Sequence, residues 1–485
     1  MVEDLLHPLL STYLGSPRWV KNSLGRAYSL VPVSLRYGRH YWRFLREAAW
    51  QPEDALRRLA MRKLAGTLRH ALLSVPAYRE YGELIGRLDA YDDAGAAACD
   101  EVLQALPTVS KDDIRRDPRR YMSAAVRHEL AMKVFTGGST AVPMTFYLHK
   151  GVTRAKEYAF MERFHRRAGL DGRGLTLSMR GHAVPGAATP DTQATLWMLE
   201  PIRKQLILSS DHLAHEYLPR YVEAMRIWKP RFIQAYPSTI YPLALWLAAH
   251  PAPDAASRIE GIMLYSENVL DHHMAAIRAV FSCPVLKHYG HSERVLMGAS
   301  MADDDRYFFW PQYGHLELVD HAGKPVTQPG IAGEMVGTGF DNRVMPLVRY
   351  RTGDMAVLGR SPHPLLPAFP VVERIEGRMQ EFIVCRDRRL MSVNSLTEIP
   401  RDPELEGIEA IQFEQRIPGR IVARIAAPRS LCEAALRRFA QNLERKTHNG
   451  CEVEAVRVDR IARTARGKLR MLIQHLDTGH YFGAQ

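Results

Sequence analysis

The sequence predicts an α/β protein in two parts: a large multi-layer N-terminal domain with parallel and mixed sheets, and a small α+β domain behind it. Three observations predict this. Residues 1 to about 125 repeat apolar side chains at helical spacing, and residues from about 150 to 300 alternate amphipathic helix with short apolar strand. After a Pro-rich loop, Ser361 to Pro370, a second and shorter strand and helix pattern begins. At 485 residues the chain exceeds what one core ordinarily organises.

Taken in order, Leu56, Leu59, Leu64, Leu68, Ala71, Leu72 and Val75 predict a helix over Pro52 to Tyr81, closed by Pro76. Leu106-Pro107-Thr108-Val109-Ser110-Lys111 is a Pro-broken connector with Ser110 as an N-cap. Next comes a loop, Phe135 to Pro143, between the apolar runs Met132 to Phe135 and Met144 to Leu148. Gly137 and Gly138 let the backbone approach an anion, and Thr136, Ser139 and Thr140 add hydroxyl donors. The loop suits phosphate, although an ordinary hairpin turn has the same composition. It lacks the G-x-x-x-x-G-K-[ST] pattern of a P-loop.

His212 to Trp228 reads as an amphipathic helix, Phe232 to Ala235 as a strand, and Tyr236-Pro237-Ser238 as a turn capping a helix to Leu247. Ile262 to Tyr265, Asp271 to Phe281 and Val285 to His288 continue as strand, helix and strand. This β-α-β-α-β order implies parallel strands, and ligands bind off their carboxyl ends. That places Tyr236-Pro237-Ser238, Tyr265-Ser266-Glu267 and Tyr289-Gly290-His291-Ser292-Glu293 at the rim. Residues 313 to about 360 read as β-rich, with Tyr350-Arg351-Thr352-Gly353-Asp354 ending an apolar strand in a tight turn. The small domain has strands near Ile411 and Ile421 joined by Pro418-Gly419, a helix over Leu431 to Arg445, a strand at Val453 to Val458, and a basic loop, Arg463 to Lys468.

The composition, 46% hydrophobic and 24% charged, is that of a soluble globular protein. No transmembrane segment is predicted, since no stretch of about eighteen uncharged apolar residues occurs. The acidic Met1-Val2-Glu3-Asp4 start does not read as a signal peptide, and a cytoplasmic location is expected. The five cysteines lack C-x-x-C spacing and are expected as plain thiols. A formal charge of +12 favours polyanionic partners such as nucleotides or coenzyme A. The arginines are dispersed, so a nucleic-acid partner is not expected. His288, His291 and Cys283 match no standard zinc spacing, and no G-x-S-x-G hydrolase motif occurs.

Chemically, Asp354 suits two ribose hydroxyls, Glu293 offers a hard oxygen for Mg²⁺, Tyr289 a face for adenine, and Ser292 a hydroxyl for phosphate. A hairpin-closing Asx turn and a solvated loop carboxylate are the plainer alternatives for Asp354 and Glu293. Lys468, among Arg463, Arg466 and Arg470, suits charge developing on a displaced phosphate; a basic surface is its alternative.

In this order, Thr136 to Pro143, Tyr265 to Glu267, Tyr289 to Glu293, Tyr350 to Asp354, Gly377-Arg378 and Gly467-Lys468 resemble the adenylate-forming superfamily of acyl-CoA synthetases. Val75-Pro76-Ala77-Tyr78-Arg79, Leu106 to Lys111, Ala235 to Ser238, Tyr289 to Arg294 and Pro311-Gln312-Tyr313-Gly314 narrow the resemblance. They point to the phenylacetate–CoA ligase-like group and its CapK-like branch from capsular polysaccharide clusters. The resemblance implies an adenylation domain over 1–376 and a mobile lid over 377–485. It implies ATP, Mg²⁺ and coenzyme A as cofactors and a small carboxylic acid, aromatic in the group's name, as substrate; a homodimer stays open. By the same resemblance Thr136, Gly137, Gly138, Ser139 and Thr140 hold ATP phosphates, and Ser266, Glu267, Tyr289 and Gly290 border the nucleotide. Ser292 meets the α-phosphate, Glu293 the metal, Asp354 the ribose, Arg378 the ribose or phosphate, and Lys468 bridges carboxylate and phosphate. The acid pocket draws on Arg180, Tyr236, Ser238 and His291.

Three departures from the pattern involve four positions: Ala141 and Val142 replace glycine and lysine, Gln380 replaces a hinge aspartate, and His291 stands beside the expected carboxylate. Two other readings stay open, namely transfer of AMP or acyl to a sugar, amine or deazaflavin, and a non-catalytic scaffold of polysaccharide assembly.

Overall fold

The structure, a computed structural model, describes residues 16–89, 93–135, 144–170, 174–180, 184, 196–209, 212–213, 215–378, 382–388, 390–393, 396, 408, 410–427, 432–447, 449–462 and 469–478. Three short helices, α1 (Arg18–Ser29), α2 (Val33–Tyr37) and α3 (Tyr41–Glu47), lead to the long α4 (Glu53–Ser74). Leu56, Leu64, Leu68, Ala71 and Leu72 form the buried stripe of α4, and Glu53 and Asp54 sit at the positive end of its dipole. Pro76 opens a 3₁₀ segment, Pro76–Asp89, so the helix predicted to reach Tyr81 ends at Ser74. Then come α5 (Asp93–Ala105) and α6 (Lys111–Arg116). Ser110 caps α6 as predicted: its hydroxyl accepts from the Asp113 N–H at 3.2 Å, and the Asp113 carboxylate accepts from the Ser110 N–H at 2.9 Å.

Strands β1 (Ala131–Phe135) and β2 (Thr145–His149) pair antiparallel, with Phe135 opposite Thr145. The chain continues through α7 (Thr153–Arg167), β3 (Thr176–Met179), β4 (Trp197–Glu200), β5 (Gln205–Leu208), α8 (Leu218–Trp228), β6 (Phe232–Ala235) and α9 (Pro237–Ala249). It goes on through β7 (Gly261–Tyr265), α10 (Asp271–Val280), β8 (Val285–Gly290), β9 (Met297–Ala299) and β10 (Tyr307–Phe309). The last strands of this part are β11 (Gly314–Val319), β12 (Ala332–Gly339), β13 (Tyr350–Leu358) and β14 (Val371–Arg378). The helix predicted from His212 starts only at Leu218, with Pro219 in its first turn.

All strands from β3 to β14 join one twelve-stranded sheet, ordered β11-β12-β13-β14-β10-β9-β8-β7-β6-β3-β5-β4. The neighbours β5, β3, β6, β7 and β8 run parallel, as the β-α-β-α-β pattern predicts. Side chains alternate between two apolar layers. Phe232, Met263 and Leu286 pack under Phe160 and Phe164 of α7, whereas Ile233, Leu264 and Val285 pack against α8, α9 and α10 through Tyr221, Leu243 and Ile277. A third core joins α4 and α5 to β11–β13 and takes in Phe146 of β2 with Tyr289 and Tyr350.

The C-terminal part begins with β15 (Phe382–Val384) and β16 (Leu390–Ser392). A four-stranded sheet follows, made of β17 (Ala410–Ile417), β18 (Arg420–Ala426), β19 (Glu452–Val458) and β20 (Leu472–Gln474) in the order β19-β18-β17-β20. Helix α11 (Glu433–Lys446) covers it with Phe439 and Leu443. Gln415, fully buried, binds both the N–H and the carbonyl of Val384 and so ties β15 to this sheet. The fold is thus a mixed α/β body with a smaller C-terminal sheet domain. All five cysteines carry free thiols. Among the described residues no helix is long and apolar enough to cross a membrane.

Candidate active site

One local prediction is corrected. Tyr350 to Asp354 does not end a strand in a tight turn; it begins β13, and Asp354 sits inside the strand, opposite Arg378 of β14. A bulge produces this. The β12–β13 register passes from Glu334 opposite Met355 to Val336 opposite Arg351, so Thr352, Gly353 and Asp354 face one residue, Met335. Gly353 takes φ +76°, its N–H donates to Glu334 at 3.1 Å, and the Thr352 hydroxyl donates to the Met335 carbonyl at 2.7 Å. The Asp354 N–H turns back to the Thr352 hydroxyl, and its carboxylate accepts from the Tyr289 hydroxyl at 2.7 Å.

Tyr289 lies on β8, next to the turn His291 to Arg294, which is closed by the Arg294 N–H donating to the His291 carbonyl at 3.1 Å. Glu293 points inward from that turn and is 5% exposed. Its carboxylate accepts from the Tyr350 hydroxyl at 2.6 Å, pairs with His291 Nδ1 at 3.2 Å, and has Lys111 Nζ at 3.9 Å. Burial pushes the carboxyl up, but the hydrogen bond and charge of His291, the Lys111 ammonium and the Tyr350 hydroxyl together hold its pKa down at about 2. Ser292, in the same turn, is exposed. Tyr289 and Tyr350 therefore bring Asp354 and Glu293 to one cluster from two parts of the sheet.

A second cluster forms beyond β7. Ser266 takes φ +63° and the Glu267 N–H folds back to the Tyr265 carbonyl at 2.8 Å, a tight turn that presents the Glu267 carboxylate. That carboxylate accepts from the Ser238 N–H and hydroxyl, both at 3.1 Å, and from the Leu469 N–H at 3.3 Å. The C-terminal segment thus reaches the sheet's rim one residue after Lys468. Tyr236 is buried at the start of α9, while Gly290 is exposed at the end of β8. Arg180, just past β3, lies over the Tyr265 ring with its guanidinium carbon 4.3 Å from the centroid.

Thr136, Gly137, Gly138, Ser139, Thr140, Ala141, Val142, Gln380 and Lys468 lie outside the described residues, and for Arg378 only the strand pairing is described. Sequence reasoning gave Lys111 and Tyr350 no chemical role, and it missed Ser178, Gln205 and Gln234 on the sheet beneath α7 and His165 of α7, which meets Tyr265 and Gln234. Polar residues at alternate positions of strands buried on both faces, such as Thr176, Ser178 and Arg180, were the available signal. Among the described residues no cluster of three or more His, Cys, Asp or Glu could hold a metal by itself. A cleft of about 660 Å³ lined by Asp100, Gln104, His315 and Arg360 shares no residue with this site.

No family model matches the chain. Protein CapK of Staphylococcus aureus is 23% identical over 377 residues, 77% of this chain and 80% of that protein. Phenylacetate-coenzyme A ligase of Pseudomonas putida is 22% identical over 339 residues, 69% of this chain and 73% of the enzyme. Among solved structures, 2-hydroxyisobutyryl-CoA ligase in the postadenylation state with 2-HIB-AMP superposes with a TM-score of 0.62 at 15% identity, covering 93% of this chain and 92% of that one. The fold is that of the adenylate-forming CoA ligases. In sequence the chain is similar to CapK and to the phenylacetate–CoA ligases.

Proposed function

We propose that the protein uses ATP to activate a carboxylic acid as an acyl-adenylate and then passes the acyl group to the thiol of coenzyme A. The observation that carries this reading is the meeting of Asp354, Glu293 and their tyrosines at the rim that Leu469 of the C-terminal segment also reaches. A carboxylate oxygen of the acid attacks the α-phosphorus of ATP, and pyrophosphate leaves with the bridging oxygen. The thiolate sulfur then attacks the acyl carbon and AMP leaves, the thiol proton having passed to water.

In this reading Asp354 accepts the ribose hydroxyls, and Tyr289 fixes its orientation through the 2.7 Å bond. Glu293 fits a Mg²⁺ site: it is ionised, and Tyr350 and His291 occupy two of the roughly four lone-pair sites of its carboxylate. Mg²⁺ bound there would offset the charge of the phosphates. Thr136 to Thr140 enclose the phosphates, Ser266 and Gly290 border the nucleotide, Ser292 meets the α-phosphate, and Arg378 contacts ribose or phosphate. Lys468, delivered from a lid over 377–485 that rotates against the domain over 1–376, neutralises the charge between acid and phosphate. These roles rest on the motif order and on the positions of the described members.

The test is pyrophosphate release with ATP, Mg²⁺ and a panel of aryl, hydroxy, amino, fatty and dicarboxylic acids, with and without coenzyme A. Release is expected with at least one acid, hydroxamate is expected on adding hydroxylamine, and Lys468→Ala should lower the rate by about a hundredfold or more. No release with any acid while ATP binding is measurable, or an unchanged rate in Lys468→Ala, counts against it.

A further inference from the structure

Two of the five cysteines meet inside the C-terminal domain. Cys385 follows the last residue of β15 and Cys451 precedes the first of β19, 66 residues further on, and the Cys451 thiol donates to the Cys385 sulfur at 3.8 Å. Both are buried. The backbones on either side are fixed: the Arg386 N–H donates to the Gly450 carbonyl at 2.7 Å, and the Cys451 N–H donates to the hydroxyl of fully buried Thr447 at 3.1 Å. That hydroxyl donates in turn to the Glu444 carbonyl of α11 at 2.8 Å. A Cβ added to Gly450 would stand 3.1 Å from Cys385 Cβ and 3.2 Å from its Sγ, so glycine there makes room for the thiol.

The pair belongs to a surface turn. The Arg388 N–H donates to the Cys385 carbonyl at 2.9 Å, closing a turn whose Arg386, Asp387 and Arg388 are all exposed, and Arg388 takes φ +66°. Local opening of that turn is a route from solvent to the sulfurs. The hydrogen bond to Cys385, and then burial, push the Cys451 thiol up, so in the closed turn it stays protonated and unreactive. A disulfide needs its sulfurs about 2.05 Å apart, and closing the remaining ~1.8 Å is a matter of turning side chains, because the two backbones are already neighbours. The other cysteines provide an internal comparison: Cys99 is buried in α5, Cys283 is half-buried, and Cys432 is exposed at the start of α11.

We infer that Cys385 and Cys451 form a reversible disulfide that staples the β15–β16 hairpin to β19 of the C-terminal sheet. The oxidant class is a low-molecular-weight disulfide. As the turn opens, the thiolate of one cysteine attacks a sulfur of the reagent and expels one thiolate; the second cysteine's sulfur then attacks the first and expels the other. The two cysteine protons end on the two departing thiolates, so the protein pair is oxidised while one reagent disulfide is reduced to two thiols. The closed loop takes in β16, β17, β18 and α11, and holding it shut restricts the unfolded chain. The hairpin begins four residues after Arg378, the end of β14, so the staple stiffens the C-terminal domain where the chain enters it. None of this depends on the acid-activating reading of the rim.

The experiment equilibrates the full chain, as wild type and as Cys432→Ser, with mixtures of oxidised and reduced glutathione. As the oxidised share rises, peptide mapping should find Cys385 joined to Cys451, and the intact mass of Cys432→Ser should fall by about 2 Da; excess reduced glutathione should reverse both. The oxidised form should melt about 5 °C or more above the reduced form, and amide exchange over 382–392 should slow by about tenfold or more. Cys385→Ser and Cys451→Ser should each lose the thermal shift. The peptide map of the wild type decides the point even where a serine variant folds poorly. Stable glutathione adducts on separate cysteines with no joined peptide, a joined peptide containing Cys99 or Cys283, a pair that stays reduced at every glutathione ratio, or an oxidised form melting at or below the reduced one, each overturns the inference.

Discussion

The hydroxyls of Tyr289 and Tyr350 donate to two different carboxylates, Asp354 and Glu293, and each bond helps to orient its acceptor. Glu293 is the more constrained of the two. Its pKa lies below the ordinary glutamate value, so its ionised form stabilises the fold in full above the ordinary glutamate range, and this contribution is lost as pH falls toward about 2. Glu293→Gln should therefore cost about 1–3 kcal/mol near neutral pH, and the difference in melting temperature from the wild type should shrink as pH is lowered from about 6 to about 3. Thermal unfolding over that range measures it. A gap independent of pH would mean that the carboxylate's charge contributes nothing.

At the scale of elements, the bulge of β13 aims Asp354, and the bulge depends on one backbone conformation. Gly353 at φ +76° has open space around its missing Cβ, so substitution there acts through the backbone and not through a clash. Gly353→Val should destabilise by about 1–2 kcal/mol and raise KM for ATP, whereas Gly353→Asn, whose side chain tolerates the left-handed region, should retain most of both. Denaturant midpoints and steady-state kinetics separate the two. Equal losses in both variants would place the effect elsewhere. The parallel strands were legible because buried strands read as short apolar runs between helices, and Ser110 was legible because capping is local. The bulge was not: Met345 to Tyr350 is apolar enough for a strand, and only the pairing of β12 with β13 decides that the strand starts at Tyr350. The polar residues beneath α7 were invisible for a related reason, since Ser178, Gln234 and His288 are singletons in separate strands that register alone brings to one face.

At the scale of the molecule, Glu267 receives both Ser238 from α9 and the Leu469 N–H from the C-terminal part, 202 residues away in sequence. Removing its carboxylate frees that end of the tail. Glu267→Ala should speed tryptic cleavage after Arg463, Arg466 and Lys468 by about fivefold, the equivalent of one hydrogen bond, without changing cleavage elsewhere. Peptide-resolved proteolysis reads this, and unchanged rates at those three sites would show that the contact does not hold the tail.

On β8, His288 and Tyr289 are consecutive and so look out from opposite sides of the same ribbon, one toward Phe164 of α7 and the other toward Asp354. Side chains of even number on this strand can therefore change their packing against α7 without moving the odd-numbered side that carries the bond to Asp354. An insertion or deletion of a single residue upstream in the strand would exchange the two duties at once, so variation here should come as substitutions and never as changes in length.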